Sequence, residues 1–216
     1  ARRIYIEIGK IKKMKLKIIL SCILLFFFTN INAQEDSILL INDKDFTIGD
    51  TNAPITIIEY ASMSCSHCAN FHNNTLEKLK IEYIDTGKVK FVFRDFPFNY
   101  PALLGSMMMR CIPNDLRYTY MNALYKLQKT WVDRENSVTK QELYKIMQSG
   151  GMTKEQFNEC LGNKELENRI LQGIINAQEE FEIKSTPSFI INGTLLEGNK
   201  PIKDFRQIID KILSEE

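Results

Sequence analysis

Two cysteines separated by two residues, Cys65-Ser66-His67-Cys68, are the side chains of this 216-residue chain best suited to chemistry. A pair at this spacing can close a disulfide across one helical turn and reopen it. A helix starting between them would present unpaired N–H groups and about half a positive charge to the first sulfur, which stabilises a thiolate. Cys65, ahead of the helix, is then the exposed nucleophile, and Cys68, inside the first turn, the more buried resolving partner. Thiols in such settings titrate at roughly 3.5 to 7.5 in place of about 8.5. His67 could add positive charge or a hydrogen bond to the Cys65 sulfur, or could simply be exposed. The same cysteines could instead hold a structural zinc with His72 as third ligand. A fourth ligand at useful spacing is missing, however, and the export pattern described below disfavours bare thiolate ligands. His72 by itself reads as a polar helix residue.

Other side chains invite two readings each. Glu59 stands six residues before Cys65 in a strand that otherwise looks buried, where a carboxylate costs free energy unless it is paired or protonated. The alternative is an acid at the strand end that reaches water. Met107 to Met109 and Trp131 could line a substrate groove, although helical spacing makes core packing the simpler reading. Cys111 and Cys160 bring the count after residue 33 to four cysteines, which an exported protein can join in any of three pairings or leave partly free.

The elements that must position these residues follow from periodicity. Ile55 to Ala61 is a near-continuous apolar run with three isoleucines, suited to a strand buried on both faces. Ser66 to about Thr86 favours helix, with Phe71, Leu76, Leu79 and Tyr83 on one face and Gly87 as a stop. Lys88 to Asp95 alternates around Val89, Phe91 and Phe93 and reads as a second strand. Strand, helix, strand is a crossover that makes a parallel pair. Between Pro97 and about Glu182 helical stretches are expected at Ala102 to Cys111, Asp115 to Lys129, Lys140 to Ser149, Lys154 to Leu161 and Lys164 to Phe181. Gly150, Gly151 and Gly162 punctuate them. Strands return at Ser188 to Asn192 and Thr194 to Glu197 around the hairpin signal Asn192-Gly193. A last helix from about Pro201 carries Ile202, Phe205, Ile208, Ile209 and Ile212 on one face. The expected organisation is α/β, with residues 34–98 and 183–216 forming one domain and residues 99–182 a helical insertion.

Residues 1–33 read as a targeting segment. From Met14, a plausible start, Lys15 and Lys17 precede the apolar run Ile18 to Phe28, and Thr29 to Ala33 ends on a small residue, the order of a secretory signal. This stretch of 11 residues falls well short of the ~20 that span a bilayer, so cleavage after Ala33 is expected over a retained anchor, and Cys22 is assigned to the removed piece. Residues 1–13 are left out of the fold reading. Without residues 1–33, which hold seven basic and one acidic side chain, the net charge of +1 becomes −5. A mildly acidic body with no basic run argues against nucleic acid as a partner.

Taken together, strand, Cys-x-x-Cys, helix, strand, long helical insertion, Thr186-Pro187, hairpin and helix resemble the DsbA-like branch of the thioredoxin superfamily over about Asp45 to Leu213. Ile57 to Phe71 and Ser185 to Gly193 carry the likeness. The resemblance implies a thioredoxin fold with an inserted α-helical domain, no cofactor, and a periplasmic dithiol oxidase that introduces disulfides into reduced exported proteins. It implies that Pro187 is cis beside the redox pair, although any X-Pro bond in a folded protein has only about a 5 to 6% chance of being cis. It further implies that the Thr186 backbone pairs with an extended substrate and that Glu59 helps move the Cys68 proton. Reoxidation by a quinone-linked membrane protein is implied as well, a partner for which the chain itself carries no signal. Some bacterial members join cysteines corresponding to Cys111 and Cys160, a link over about 50 residues worth roughly 4 kcal/mol by loop entropy. A thiolate stabilised by about 2 pKa units below neutral pH favours the reduced form by roughly 2.7 kcal/mol, or about 60 mV, which makes the disulfide a stronger oxidant. Ser66 stands where a proline is typical and Thr186 where the best-known member has valine. A reductase or isomerase that keeps the pair reduced therefore stays open, as does a non-catalytic peptide holdase.

Overall fold

The structure is a computed structural model that describes residues 45–215. The expected signal segment, Cys22 and the cut after Ala33 lie outside the described residues. Five strands form one mixed sheet in the order β1-β3-β2-β4-β5: β1 (Phe46–Ile48), β2 (Ile55–Ala61), β3 (Val89–Asp95), β4 (Ser188–Ile191) and β5 (Thr194–Glu197). β2 and β3 are parallel with Ile55 opposite Val89 and Ala61 opposite Asp95, while β1, β4 and β5 join antiparallel. β2 is central and its β-branched run is covered on both sides, so all of its residues except Thr56 are buried. The β4–β5 turn places Asn192 at φ 42 and Gly193 at φ 85, the left-handed pair that a two-residue hairpin requires.

The crossover from β2 to β3 runs through residues 66–84 as α1 (Ser66–Phe71), a π-helical segment (His72–Leu76), α2 (Glu77–Leu79) and a second π-helical segment (Lys80–Ile84). The apolar face explains the first interruption. Phe71 and Leu76 are five residues apart, too far to share a face of a regular α-helix, and a turn bonded i to i+5 brings both inward. The same turn carries His72 into the interior. The expectation of a polar helix residue at His72 is thus corrected: it is buried at 5% exposure.

Six helices stand between β3 and β4: α3 (Tyr100–Cys111), α4 (Asn114–Lys126), α5 (Gln128–Trp131), α6 (Asn136–Ser149), α7 (Lys154–Gly162) and α8 (Lys164–Phe181). Asn99 caps α3 by accepting from Ala102 N at 2.9 Å, and Thr153 with Gln156 closes a capping box on α7. The single helix expected over Asp115 to Lys129 breaks at Leu127 without a glycine or proline. The break buries Gln128 and Trp131, and the Trp131 Nε1–H donates to the Leu124 carbonyl at 2.8 Å, satisfying a group freed at the helix end. Met107 to Met109 and Trp131 are core residues, not groove lining. The sequence offered no sign of β1. It is three residues long and is held by pairing to β3 and by Phe46 stacked on Phe93 at 4.8 Å.

After β5, α9 (Ile202–Glu215) lays Phe205 and Ile209 on the sheet. There Phe71, Phe189 and Phe205 pack with ring centroids 4.7 to 5.6 Å apart, tying the redox helix to β4 and to the C-terminal helix. Among the described residues no helix is long and apolar enough to cross a membrane.

Candidate active site

Cys65 is the residue that caps α1. Its backbone is extended at φ −78 and ψ 122, and its carbonyl accepts from Ala69 N at 3.0 Å. The loop before it turns back through Cys65 N to Ser62 O at 3.0 Å. These bonds bring the half-buried Cys65 thiol to the mouth of the helix and leave Cys68 inside at 0% exposure, both as free thiols. The Thr186-Pro187 peptide bond is cis, and the Thr186 carbonyl accepts from Cys65 Sγ at 3.3 Å. The Thr186 hydroxyl is buried with no well-formed hydrogen bond, so its proton is free to turn toward the sulfur.

The two sulfurs are pushed in opposite directions. The Cys65 thiol is lowered to about 5, chiefly by a hydrogen bond from the Cys68 thiol. The Thr186 side chain and the backbone N–H groups of Cys68 and His67 add to this, against the opposing effect of burial. Cys68 is pushed strongly upward, first by burial, then by its bond to Cys65 and by the charge of Glu59. The arrangement yields an accessible thiolate beside a thiol that holds its proton.

His67 is exposed, and its imidazole makes no hydrogen bond or ion pair among the described residues. Its contribution to the Cys65 sulfur comes through the backbone N–H. Of the readings offered for His67, a hydrogen bond from the imidazole to the Cys65 sulfur is not formed, and the side chain is exposed. Glu59 lies on β2 at 0% exposure, which removes the alternative of a strand-end acid reaching water. Its Oε1 and Oε2 are 3.1 and 2.9 Å from His72 Nε2. The His72 ring stacks on Tyr125 of α4 at 4.1 Å and leans on Phe93 at 5.8 Å, so the Glu59–His72 pair is sealed between sheet, redox helix and insertion.

Cys111 at the end of α3 and Cys160 in α7 are joined, with their Cα atoms 6.1 Å apart. Sequence reading missed two residues at the site. One is His72 as the partner of Glu59; its place four residues after Cys68, on the helix that covers β2, was the available signal. The other is Gln128 of α5, which reaches the redox loop from a segment with no motif.

Comparison with known proteins places this geometry. A family model described as Thioredoxin matches residues 42–211. The crystal structure of Wolbachia pipientis alpha-DsbA1 superposes with a TM-score of 0.76 at 30% identity, covering 84% of this chain and 100% of that one. BdbD from Bacillus subtilis shares the fold with a TM-score of 0.69 at 21% identity, over 79% and 94% of the two chains. In sequence, a Rickettsia conorii protein carrying the name protein-disulfide oxidoreductase is 29% identical over 82% of this chain. The chain spans 63% of that relative's length.

Proposed function

Because the chain belongs to the DsbA-like branch of the thioredoxin superfamily, we propose that it is a protein thiol:disulfide oxidoreductase working as an exported dithiol oxidase. The observation that carries this reading is the placing of the pair. Cys65 stands half-buried at the start of α1 with its Sγ at the Thr186 carbonyl beside the cis Thr186-Pro187 bond, and Cys68 is fully buried behind it. This setting lowers the Cys65 thiol and raises the Cys68 thiol. A stabilised Cys65 thiolate favours the reduced enzyme, and a stable reduced form makes the disulfide form an oxidant.

The cycle begins with Cys65 and Cys68 joined. A substrate thiolate attacks Cys65 Sγ, the more accessible sulfur; the Cys65–Cys68 bond breaks and a mixed disulfide forms. Cys68 departs carrying the electron pair in a buried setting that favours its protonated form. We assign delivery of that proton to Glu59, which holds it as the neutral acid while Cys65 and Cys68 are joined and is left charged once Cys68 has taken it; that charge then helps keep the Cys68 thiol protonated. A second substrate thiolate attacks the substrate sulfur of the mixed disulfide and expels Cys65. A thiol that titrates near 5 leaves readily. The substrate has lost two electrons and the enzyme holds both thiols. An extended substrate would lie against the Thr186 backbone beside Pro187. Return to the disulfide form falls to an external oxidant, for which we propose a quinone-linked membrane protein. The segment Lys15 to Ala33 supports delivery to the periplasm, where reduced exported chains are the substrates.

Two measurements test the proposal. The protein should catalyse oxidation of a reduced two-cysteine peptide, and Cys65→Ala should abolish that catalysis; persistence in the variant removes the role given to Cys65. Equilibration of the pair in glutathione buffers should give a potential well above about −270 mV, the value of a thioredoxin-type reductant. A potential at or below that value sinks the oxidase direction.

A further inference from the structure

The loop that carries the nucleophile is gripped from outside the thioredoxin core. Gln128 is buried at 8% exposure, and its Nε2 donates to the Met63 carbonyl at 2.9 Å and to the Cys65 carbonyl at 3.0 Å. Both amide hydrogens are thus committed to the backbone on either side of Ser64. The Cys65 carbonyl also receives the first bond of α1 from Ala69 N at 3.0 Å, so the side chain clamps the residue at which the redox helix starts.

Neighbouring packing leaves this clamp little slack. A Cβ added to Gly105 of α3 would lie 2.8 Å from Met63 Cβ and 2.9 Å from the Trp131 ring, so α3 and α5 close directly on the loop. The break at Leu127 that ends α4 is what turns Gln128 inward. A second, more exposed tie runs from Ser64 Oγ to Asn99 Oδ1 at 3.0 Å.

Carbonyl oxygens are the negative ends of peptide dipoles, and those of Met63 and Cys65 are close along the chain to a sulfur that must become negative. Free to turn, they would oppose the N–H groups that favour the thiolate. Two N–H donors bonded to them offset their partial charge and fix their direction. We propose that Gln128 is a positioning residue of the redox centre: reaching in from the helical insertion, it orients the Met63 and Cys65 backbone so that the Cys65 sulfur faces the helix start and Thr186. The role assigned to Cys65 rests on the oxidoreductase reading above; the geometry of the clamp does not.

The test is Gln128→Met, which keeps the length of the side chain and removes both donors. The thiolate of reduced Cys65 is followed by its absorbance as pH is varied, with Cys68, Glu59 and Tyr125 as the titratable groups around it. The expected result is a Cys65 midpoint raised by about one pH unit, with a roughly tenfold smaller equilibrium constant for oxidising glutathione, which is about 30 mV. A folded variant with lower stability but an unchanged midpoint and potential overturns the proposal, because satisfying two buried carbonyls would then be all that Gln128 does. Should Gln128→Met fail to fold, the unsubstituted protein still decides. Its Gln128 side-chain amide signals in NMR should exchange slowly and shift with the Cys65 titration. Fast exchange with no shift overturns the proposal equally. Failure of the functional reading is seen separately, as absence of peptide oxidation by the unsubstituted protein.

Discussion

His72 Nε2 sits between the two oxygens of the Glu59 carboxyl, 3.1 and 2.9 Å away, with neither side chain reaching solvent. The imidazole N–H is the donor that a buried carboxyl requires, and among the described residues no other hydrogen bond to the Glu59 carboxyl is seen. His72→Ala should therefore leave that carboxyl buried without a partner, at a cost of roughly 3 to 5 kcal/mol in unfolding free energy. Glu59→Gln keeps an oxygen acceptor for the imidazole and should cost about 1 kcal/mol. Urea unfolding of the reduced protein compares the two. Equal, small losses would mean that water reaches Glu59 and that the pair is not sealed.

The lowered Cys65 thiol makes the stability of the reduced protein depend on pH. Cys65 titrates near 5 in the folded protein against 9.0 for an ordinary thiol. Its contribution to stability is fully present above about 9, shrinks as pH falls, and is gone below about 5. The oxidised protein lacks this group. The thermal midpoint of the reduced form relative to the oxidised form should accordingly drop between pH 8 and pH 4. Cys65 is half-exposed, so solvent screening makes the drop smaller than the full shift implies. A gap that stays constant over that range would contradict the thiolate assignment.

How much of this was legible beforehand depends on the distance over which each feature is determined. β2 and the hairpin at Asn192-Gly193 are local: a β-branched run and a turn with two positive φ values announce themselves. Cys65 and Cys68 were legible as types and spacing, whereas Thr186-Pro187 was legible only through the family resemblance. The partner of Glu59 was not, because it depends on a π turn that rotates His72 inward, and that turn shows only as the five-residue gap between Phe71 and Leu76. Gln128 was hidden for a similar reason. The break at Leu127 has no local breaker residue and is stabilised by what Gln128 and Trp131 reach once the insertion packs on the redox loop. β1 exists only through its partner β3.

The Cys111–Cys160 link lies within the helical insertion, and neither cysteine is among the groups that act on the Cys65 sulfur. It closes α3 to α7 across 49 residues of chain. Substituting both cysteines by alanine should lower unfolding free energy by roughly 4 kcal/mol through loop entropy. The same variant should leave the Cys65 midpoint where it was. A midpoint that moved would show that the insertion transmits the loss of the link to the redox loop.

Gly105 tests the contact between insertion and redox loop without touching a polar group. Its missing Cβ is the space occupied by Met63 and the Trp131 ring, at 2.8 and 2.9 Å. Gly105→Ala gains helix propensity of about 1 kcal/mol but forces one of two buried neighbours to move, and overpacking of this kind costs roughly 1 to 3 kcal/mol. Trp131 is pinned by its bond to Leu124 O, so Met63 is the side that gives. Because Gln128 bonds the Met63 carbonyl, that displacement should reach the Cys65 backbone and raise the thiolate midpoint along with the loss of thermal stability. Gly105→Ala with unaltered melting temperature would mean that the seam has room to relax. Reduced stability with an unmoved midpoint would mean that Met63 shifts without carrying the loop.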